Sequence, residues 1–182
     1  MVPLINEKDL MDCSLEDIRI MLDNSDYRES EYLDFKRNFA FLEAEKGKQR
    51  DAKVSEFRSD ICAFANSDGG YLIFGVGEDK GVAHELIGVD IPDDNVDKFE
   101  LERKNNLSSI LPRIPPVQFK FLKMDAGKYI VIIHVQHDFF APYIHLENES
   151  NYKIFRRVGN GKKSASYMEI KNMWRFRVIY AA

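Results

Sequence analysis

The feature that most constrains the fold is a nearly continuous apolar run over residues 71–76, which directly follows Gly69 and Gly70. Such a run is typical of a β-strand buried on both faces, and that strand requires packed layers on both sides of its sheet. A helix ending near Asn66 is predicted just before it, because apolar residues recur at helical spacing: Val54, Phe57, Ile61, Phe64 and Ala65. The two glycines give the chain the positive-φ exit from that helix.

Weaker patterns place the other elements around this helix–strand pair. Strands are predicted over residues 31–36, 85–89, 117–124, 129–136 and 152–158, and a helix over 93–110. Ser14 caps a short first helix, and Ser166 opens the last helix with a capping box. A turn over 77–81 and a lysine-rich loop after Gly161 complete the series. The order predicts the α+β class, as a single mixed-sheet domain with flanking helices.

The formal net charge of −4 hides a sharp asymmetry along the chain. Residues 1–150 hold 18 Lys and Arg against 29 Asp and Glu, a net of −11, whereas residues 151–182 hold 8 against one, a net of +7. The asymmetry favours a polyanionic partner for the basic end. The alternative is a basic C-terminal helix that only neutralises an acidic body.

The sequence disfavours several protein classes. The apolar runs are too short to span a bilayer, and the N-terminus lacks a signal-peptide pattern, so we expect a cytoplasmic protein with no membrane contact. Cys13 and Cys62 alone make neither a disulfide framework nor a four-ligand zinc site. Residues 161–164 resemble the end of a phosphate-binding loop, but Arg156 stands where that loop needs a glycine. We therefore expect no nucleotide cofactor.

Three acids lie at predicted element ends where they can converge. Glu29 precedes the first strand, Asp34 lies on its polar face with Lys36, and Glu78 follows residues 71–76. If the two strands are neighbours, these carboxylates meet at one sheet edge, and carboxylate oxygens suit Mg²⁺ or Mn²⁺. Such a metal activates water at a phosphodiester, and Lys36 would hold the phosphate or the leaving group. Glu29 and Asp34 are five residues apart, so their convergence needs a bend before the strand; the alternative is a solvated acidic edge.

Three segments resemble the Schlafen AlbA-like domain family. Residues 29–36 (ESEYLDFK) look like its opening E-S-x-x-x-E-F-K segment, and residues 63–76 (AFANSDGGYLIFGV) are similar to its A-F-A-N-t-x-G-G-x-l-x-i-G-V helix–strand core. Residues 154–160 (IFRRVGN) resemble its closing Y-x-R-x-G-s segment. The resemblance assigns residues 25–182 to the Schlafen AlbA-like domain and residues 1–24 to an N-terminal helical extension.

This resemblance implies a nucleic-acid-binding α+β domain. In vertebrate relatives two such lobes form a horseshoe that cuts tRNA and rRNA with a metal-dependent three-carboxylate site. Carried over by position, the three carboxylates fall on Glu29, Asp34 and Glu78, although the family usually has Glu at the second position and Asp at the third. Asp79 is the alternative to Glu78. A horseshoe built from this chain would need a homodimer.

The basic end supplies candidate phosphate contacts, which give salt-dependent and largely sequence-independent affinity. The candidate nucleic-acid-binding residues are Lys36, Arg37, Arg156, Arg157, Lys162, Lys163, Arg175 and Arg177, with Lys53 and Arg58 as extensions of the same surface. Alternation sends Arg156 and Arg157 to opposite faces, so at most one of them lines a given groove. Tyr152 and Tyr167 are candidates for base stacking, whereas Phe155 is expected to pack in the core.

Two functions are compatible with these patterns. The first is a metal-dependent endoribonuclease acting on structured RNA such as tRNA, with Glu29, Asp34, Glu78 and Lys36 as catalytic residues and the three acids as metal ligands. The alternative is a non-catalytic regulatory module that binds RNA or DNA through the same surface. RNA is the favoured partner in both cases, with DNA as the second candidate.

Overall fold

A four-stranded mixed sheet forms the centre of the computed structural model, which describes residues 4–5, 7–138, 142–148 and 151–180. The strands of this sheet are β1 (Leu33–Lys36), β2 (Gly70–Phe74), β6 (Val117–Lys123) and β7 (Tyr129–Val135). Their order is β1–β2–β7–β6, and only β1 and β2 run parallel. All five residues of β2 are buried, because the strand lies inside the sheet and is covered on both faces. The predicted α+β class and mixed sheet are therefore confirmed.

The remaining elements flank this sheet. The helices are α1 (Leu15–Arg19), α2 (Ala40–Glu43), α3 (Lys48–Ala65), α4 (Val96–Asn105) and α5 (Tyr167–Tyr180). The outer strands are β3 (Val76–Asp79), β4 (Val82–Leu86), β5 (Ile110–Leu111), β8 (Ile144–Asn148), β9 (Asn151–Lys153), β10 (Phe155–Val158) and β11 (Gly161–Ser164). Three small antiparallel sheets, β3–β4, β10–β11 and β5–β8–β9, collect these strands. In the described residues, no helix is long and apolar enough to cross a membrane.

Two apolar clusters cover the two faces of the sheet. One cluster joins α3 and α4 to the sheet through packed phenylalanine rings, among which Phe39 and Phe74 stack with centroids 3.8 Å apart. The other cluster is formed on the opposite face by the N-terminal segment, whose buried members are Ile5, Leu10, Cys13, Ile18 and Met21. The N-terminal segment is therefore one of the two layers that a doubly buried β2 requires.

Two local predictions are wrong. Glu78 and Asp79 lie on β3, not in a turn, because the chain reverses only at Lys80 and Gly81, whose φ angles are 50° and 79°. The lysine-rich segment Gly161–Ser164 is strand β11, not a loop, and pairs with β10 in register. In both places a hairpin places charged residues on strands, so alternation fixes the direction of each side chain.

Candidate functional site

Glu29 folds back onto β1. The Ser30 N–H donates to the Leu33 carbonyl oxygen at 2.9 Å, which turns the chain just before the strand. Glu29 Oε1 then accepts a hydrogen bond from the Phe35 N–H at 3.2 Å. This turn is the bend that the five-residue spacing of Glu29 and Asp34 requires.

Glu78 reaches the same place from the β3–β4 hairpin. The Glu29 N–H donates to the Gly81 carbonyl oxygen at 2.7 Å, and the Gly81 N–H donates to Glu78 Oε2 at 2.5 Å. A Cβ atom built on Gly81 would lie 3.4 Å from Glu29 Cβ and 3.6 Å from its Oε2. The Glu29 and Glu78 carboxylates therefore lie on either side of Gly81. Asp79 is the next residue on β3, and alternation directs it to the other face of that strand.

Asp34 is buried beneath these two acids. Its Oδ1 accepts from Lys36 Nζ at 3.0 Å, and its Oδ2 accepts from Arg157 Nη1 at 3.1 Å. Arg157 also donates from Nη2 to the Ser30 carbonyl oxygen at 2.8 Å, and its guanidinium lies 4.5 Å from the ring centroid of Phe64. Both oxygens of Asp34 are thus held by cations, and its side chain is fixed in position.

The acids interact strongly through space. The pKa of Glu29 is raised to about 7. Partial burial is the largest cause, and the neighbouring Asp34 and Glu78 charges also raise the pKa, whereas the hydrogen bond from the Phe35 N–H lowers it. Burial alone would lower the pKa of Lys36, but Asp34, Asp60 and Glu29 together raise it above its ordinary value. The structure therefore brings Glu29, Asp34, Glu78 and Lys36 together, with the Glu29 carboxyl holding its proton near neutral pH.

The β10–β11 hairpin separates the predicted basic residues into two rungs. Arg157 pairs across the strands with Lys162, and Arg156 pairs with Lys163. The first rung faces inward, where Arg157 binds Asp34 and Lys162 Nζ lies 2.5 Å from Asp60 Oδ1. The second rung faces outward. Arg157 is only 3% exposed, so its guanidinium supports the site from below and does not present itself at the surface.

Arg156 and Lys163 form the outward face of this hairpin. Arg156 is ion-paired with Glu169 at the start of α5, where Glu169 Oε2 also accepts from the Ser166 N–H at 2.7 Å, as the predicted capping box requires. Lys163 is exposed. Tyr152 and Tyr167 are 66% and 75% exposed, whereas Phe155 is half-buried. Arg175 and Arg177 lie on α5, and their side chains fall outside the described part of the structure.

The other predicted basic residues lie around α3 and the segment after β1. Arg37 Nη1 donates to Glu85 at 3.1 Å, and Lys53 Nζ donates to Glu56 at 3.1 Å. Arg58 Nε donates to the Asn106 carbonyl oxygen at 2.5 Å. Arg58 therefore ties α3 to the end of α4, while Arg37 and Lys53 remain at the surface in exposed pairs.

A cleft of about 510 Å³ opens beside Glu29. Sequence reasoning missed its two flanking cations, Arg28 and Lys80, and the polar Asn160 that also lines it. Arg28 is adjacent to Glu29 in the chain, and Lys80 precedes the Gly81 that joins the two acids. The available signal was this adjacency to predicted acids, whereas Asn160 lies in the β10–β11 turn, at the end of the distinctive segment over residues 154–160. The cleft places cations beside the acids at an open surface.

The sequence model of the family described as "Schlafen, AlbA_2" matches residues 29–166, which is well over half of the chain. The chain belongs to the Schlafen, AlbA_2 family. None of the curated proteins compared with this Schlafen, AlbA_2 chain matches it.

Two solved structures are similar to this Schlafen, AlbA_2 chain. The DIP2311 protein from Corynebacterium diphtheriae superposes with a TM-score of 0.51 at 20% identity, over 88% of this chain and 27% of that one. The N-terminal domain of a Nitrosomonas europaea protein, named as related to the ATP-dependent DNA helicase RecG, gives a TM-score of 0.45 at 20% identity, over 82% and 90% of the two chains. The chain thus spans about a quarter of the length of DIP2311, and the likeness concerns the fold alone.

Asn66 gives the Schlafen, AlbA_2 helix–strand segment a structural role. Its amide donates to the Tyr143 and Phe155 carbonyl oxygens at 2.8 and 2.9 Å, and its Oδ1 accepts from the Tyr143 N–H at 2.6 Å. The next residue, Ser67, accepts from the Arg157 N–H at 3.0 Å. The end of α3 therefore holds β10 in the position from which the Arg157 side chain reaches Asp34.

Glu29, Asp34 and Glu78 of this Schlafen, AlbA_2 chain meet only some of the requirements of a divalent-cation site. In the residues that the structure describes, no three His, Cys, Asp or Glu side chains are arranged to hold a metal ion, and both Asp34 oxygens are already bonded to cations. Glu29 and Glu78, however, present hard oxygen donors on either side of Gly81. Mg²⁺ in proteins is commonly held by one or two carboxylates together with water and substrate phosphates. The donor chemistry of this pair fits such a cation, with Asp34 positioned beneath it.

Proposed function

We propose that this Schlafen-family chain binds nucleic acid, RNA in preference to DNA, across the Glu29 cleft and the outer face of the β10–β11 hairpin. The observation that carries the proposal is the cleft itself, where Arg28 and Lys80 lie beside Glu29 and Glu31 at an open surface. Family membership supports the same partner class. Cations around a cleft attract the phosphate backbone, which makes binding dependent on salt and largely independent of sequence.

The proposed binding surface uses outward cations only. Arg28, Lys80 and Lys163 are exposed, and Arg156 becomes available when a phosphate replaces Glu169. Arg157 and Lys162 hold the buried acids and so set the position of the surface. The exposed rings of Tyr152 and Tyr167 offer flat apolar faces to unpaired bases.

Fluorescence anisotropy with labelled single-stranded RNA, single-stranded DNA and tRNA tests this binding directly. We expect binding at 50 mM salt that weakens steeply as salt rises to about 200 mM. Substituting Lys163→Ala should weaken binding to all sequences to a similar degree. Absence of binding to every nucleic acid at low salt would refute the proposal.

A second candidate function is metal-dependent cleavage of the bound RNA, with structured RNA such as tRNA as substrate. The observation that favours it is the convergence of Glu29 with Asp34 and Glu78, where burial, together with these two charges, raises the Glu29 pKa to about 7. When bound at Glu29 and Glu78, Mg²⁺ or Mn²⁺ would supply an activated water and neutralise phosphate charge. Glu29 and Glu78 would hold that cation as ionised carboxylates, and Lys36, which is fixed by Asp34, would orient the phosphate.

Cleavage is tested by incubating a tRNA pool with the protein across a titration of Mn²⁺ and Mg²⁺. Glu29→Gln and Asp34→Asn should abolish cleavage, whereas Glu16→Gln, an exposed acid on α1 that does not line the cleft, should retain it. Calorimetric titration with Mn²⁺ supplies a readout independent of turnover, and Glu78→Gln should weaken that binding. Cleavage that persists in both active-site variants would remove these residues from the reaction, while binding without cleavage would leave a regulatory module.

A two-lobed arrangement would require two copies of this chain, and we propose it as the form that cuts structured RNA. Cleavage rate measured against protein concentration distinguishes the two cases. A rate that rises more steeply than the first power of concentration supports a homodimer, and strict proportionality with a monomeric mass in solution argues against it.

A further inference from the structure

A second cavity, which we call the α3 cavity, shares no lining residue with the Glu29 cleft. Its volume is about 180 Å³, and it is bounded by α3 and by the segment from Lys36 to Phe41. Sites for drug-sized ligands begin at roughly 300 Å³, so the α3 cavity admits a smaller group. Its size suits one planar ring system or one small anion.

The inner wall of the α3 cavity is apolar and fixed. It is formed by Phe39, Phe57 and Phe74, each no more than 5% exposed. Phe39 stacks on Phe74, and both rings lie edge-on to Phe57 with centroids 5.8 and 6.1 Å away. Because these rings lock one another in the core, the wall is present before any ligand arrives.

The rim of the α3 cavity carries both hydrogen-bond donors and acceptors. Lys36, Arg37 and Lys53 contribute cationic donors, and Glu56 and Asp60 contribute carboxylate acceptors. A phosphate offers only acceptors and negative charge, so two carboxylates on the rim disfavour it. A nucleobase offers a planar apolar body with donors and acceptors on its edge, which matches an apolar wall under a mixed rim.

Lys36 joins the α3 cavity to the Glu29 cleft. Its side chain lines the α3 cavity, and its Nζ lies 3.0 Å from Asp34 Oδ1. Asp34 in turn adjoins Glu29, which lines the cleft. Lys36 is therefore the side chain that a nucleotide with its base in the α3 cavity would share with the Glu29 cleft.

We propose that the α3 cavity binds one unpaired nucleobase of the nucleic acid that occupies the Glu29 cleft, and that it favours bases with an exocyclic amino group. This inference rests on the proposed function. Asp60 is buried and covered by Lys162 at 2.5 Å, whereas Glu56 is exposed and pairs with Lys53 through its Oε2, so Glu56 Oε1 is the rim oxygen that can accept from an amino group. Cytosine, adenine and guanine carry such a group, and uracil carries a carbonyl oxygen that the carboxylate repels.

Oligocytidylate and oligouridylate of eight residues, each with a fluorescent label, test the inference by anisotropy. The wild-type protein should bind the cytosine oligomer at least about fivefold more tightly, as one carboxylate–amino contact provides. Glu56→Gln, which keeps the shape of the side chain, should bring the ratio close to one. Glu16→Gln on α1, an exposed acid that also pairs with a cation three residues away, is the matched control and should keep the preference.

The outcomes separate this inference from the function on which it rests. Equal binding of the two oligomers by the wild-type protein, or a preference that Glu56→Gln leaves intact, overturns the α3 cavity as a base site while nucleic-acid binding stands. Failure of both oligomers to bind overturns the function and the inference together. A cytosine preference that disappears only in Glu56→Gln supports both.

Discussion

Arg157 Nη1 donates to Asp34 Oδ2 at 3.1 Å across 123 residues of chain, and both side chains are almost completely buried. The pair joins the basic end of the sequence to the acidic body at the point where the candidate site forms. Because Lys36 binds the other Asp34 oxygen, the pair also fixes the lysine that connects the cleft with the α3 cavity.

Replacing Arg157 should be strongly destabilising. Arg157→Ala leaves Asp34 buried beside a single cation and removes the contact with the Ser30 carbonyl, so we expect a loss of about 3–5 kcal/mol in the free energy of unfolding. Urea unfolding followed by circular dichroism measures it. Arg156→Ala, one residue away on the outer rung, should cost no more than about 1 kcal/mol. Equal losses in the two variants would contradict the assignment of inner and outer rungs.

The stability of the protein should depend on Glu29 between pH 4.5 and pH 7. The pKa of Glu29 is raised from 4.5 to about 7 in the folded protein by burial and by Asp34, so the folded state keeps a proton that the unfolded state has lost. Stability therefore falls as pH rises through this window. Glu29→Gln should raise the melting temperature at pH 8 and leave it nearly unchanged at pH 4. A melting temperature that Glu29→Gln lowers at pH 8 would contradict the raised pKa, and Glu31→Gln serves as the control.

Asn66→Ala should weaken the attachment of β10 to α3. The substitution leaves the Tyr143 N–H and two carbonyl oxygens without their hydrogen-bond partner in a buried place, and we expect a loss of about 2–4 kcal/mol. Chemical denaturation gives the value. Asn105→Ala, at an exposed position at the end of α4, should change stability by less than about 0.5 kcal/mol. A loss as small in Asn66→Ala as in the control would show that this clamp is dispensable.

The cations of the Glu29 cleft should set the salt dependence of binding. The Arg28→Ala and Lys80→Ala double variant should reduce the slope of log affinity against log salt by about 1.4 for single-stranded ligands, or about 0.7 for each lost phosphate contact. A double variant of Lys98 and Lys104 on α4 removes the same charge elsewhere. If both double variants change the slope equally, the net charge of the protein explains binding and the cleft does not.

Local sequence patterns predicted the helices, strands and caps that interactions between neighbouring residues determine. The structure confirms four of these elements: the helix before Gly69, the doubly buried β2, the β6–β7 hairpin and the Ser166 capping box. Each of them depends on the periodicity of apolar residues or on capping residues, which neighbouring positions of the sequence determine. The sequence left open whether β1 and β2 are neighbours and whether the chain bends before β1; the structure pairs the two strands in parallel and turns the chain at Ser30, which brings Glu29, Asp34 and Glu78 together.

Long-range pairings could not be predicted in the same way. Alternation separated Arg156 from Arg157, but nothing in the sequence indicated which of them meets Asp34, because the choice depends on how Asn66 and Ser67 hold β10. Strand β11 was likewise predicted to be a loop, because its lysines and glycine have low strand propensity. Only its pairing with β10 makes this segment a strand. Lys80 enters the site from the β3–β4 turn, and Arg28 enters it through its bridge with Val82 on β4.

The N-terminal layer has a practical consequence for protein fragments. The matched family region begins at residue 29. One face of the sheet, however, is shielded from water by apolar residues that precede this region: Ile5, Leu10, Cys13, Ile18 and Met21. A fragment trimmed to the matched region would expose Leu33, Tyr71, Ile73 and Ile132 together, and such a surface promotes aggregation. The smallest unit that can be produced and crystallised should therefore begin before Ile5, and insolubility of a shorter piece would carry no information about its activity.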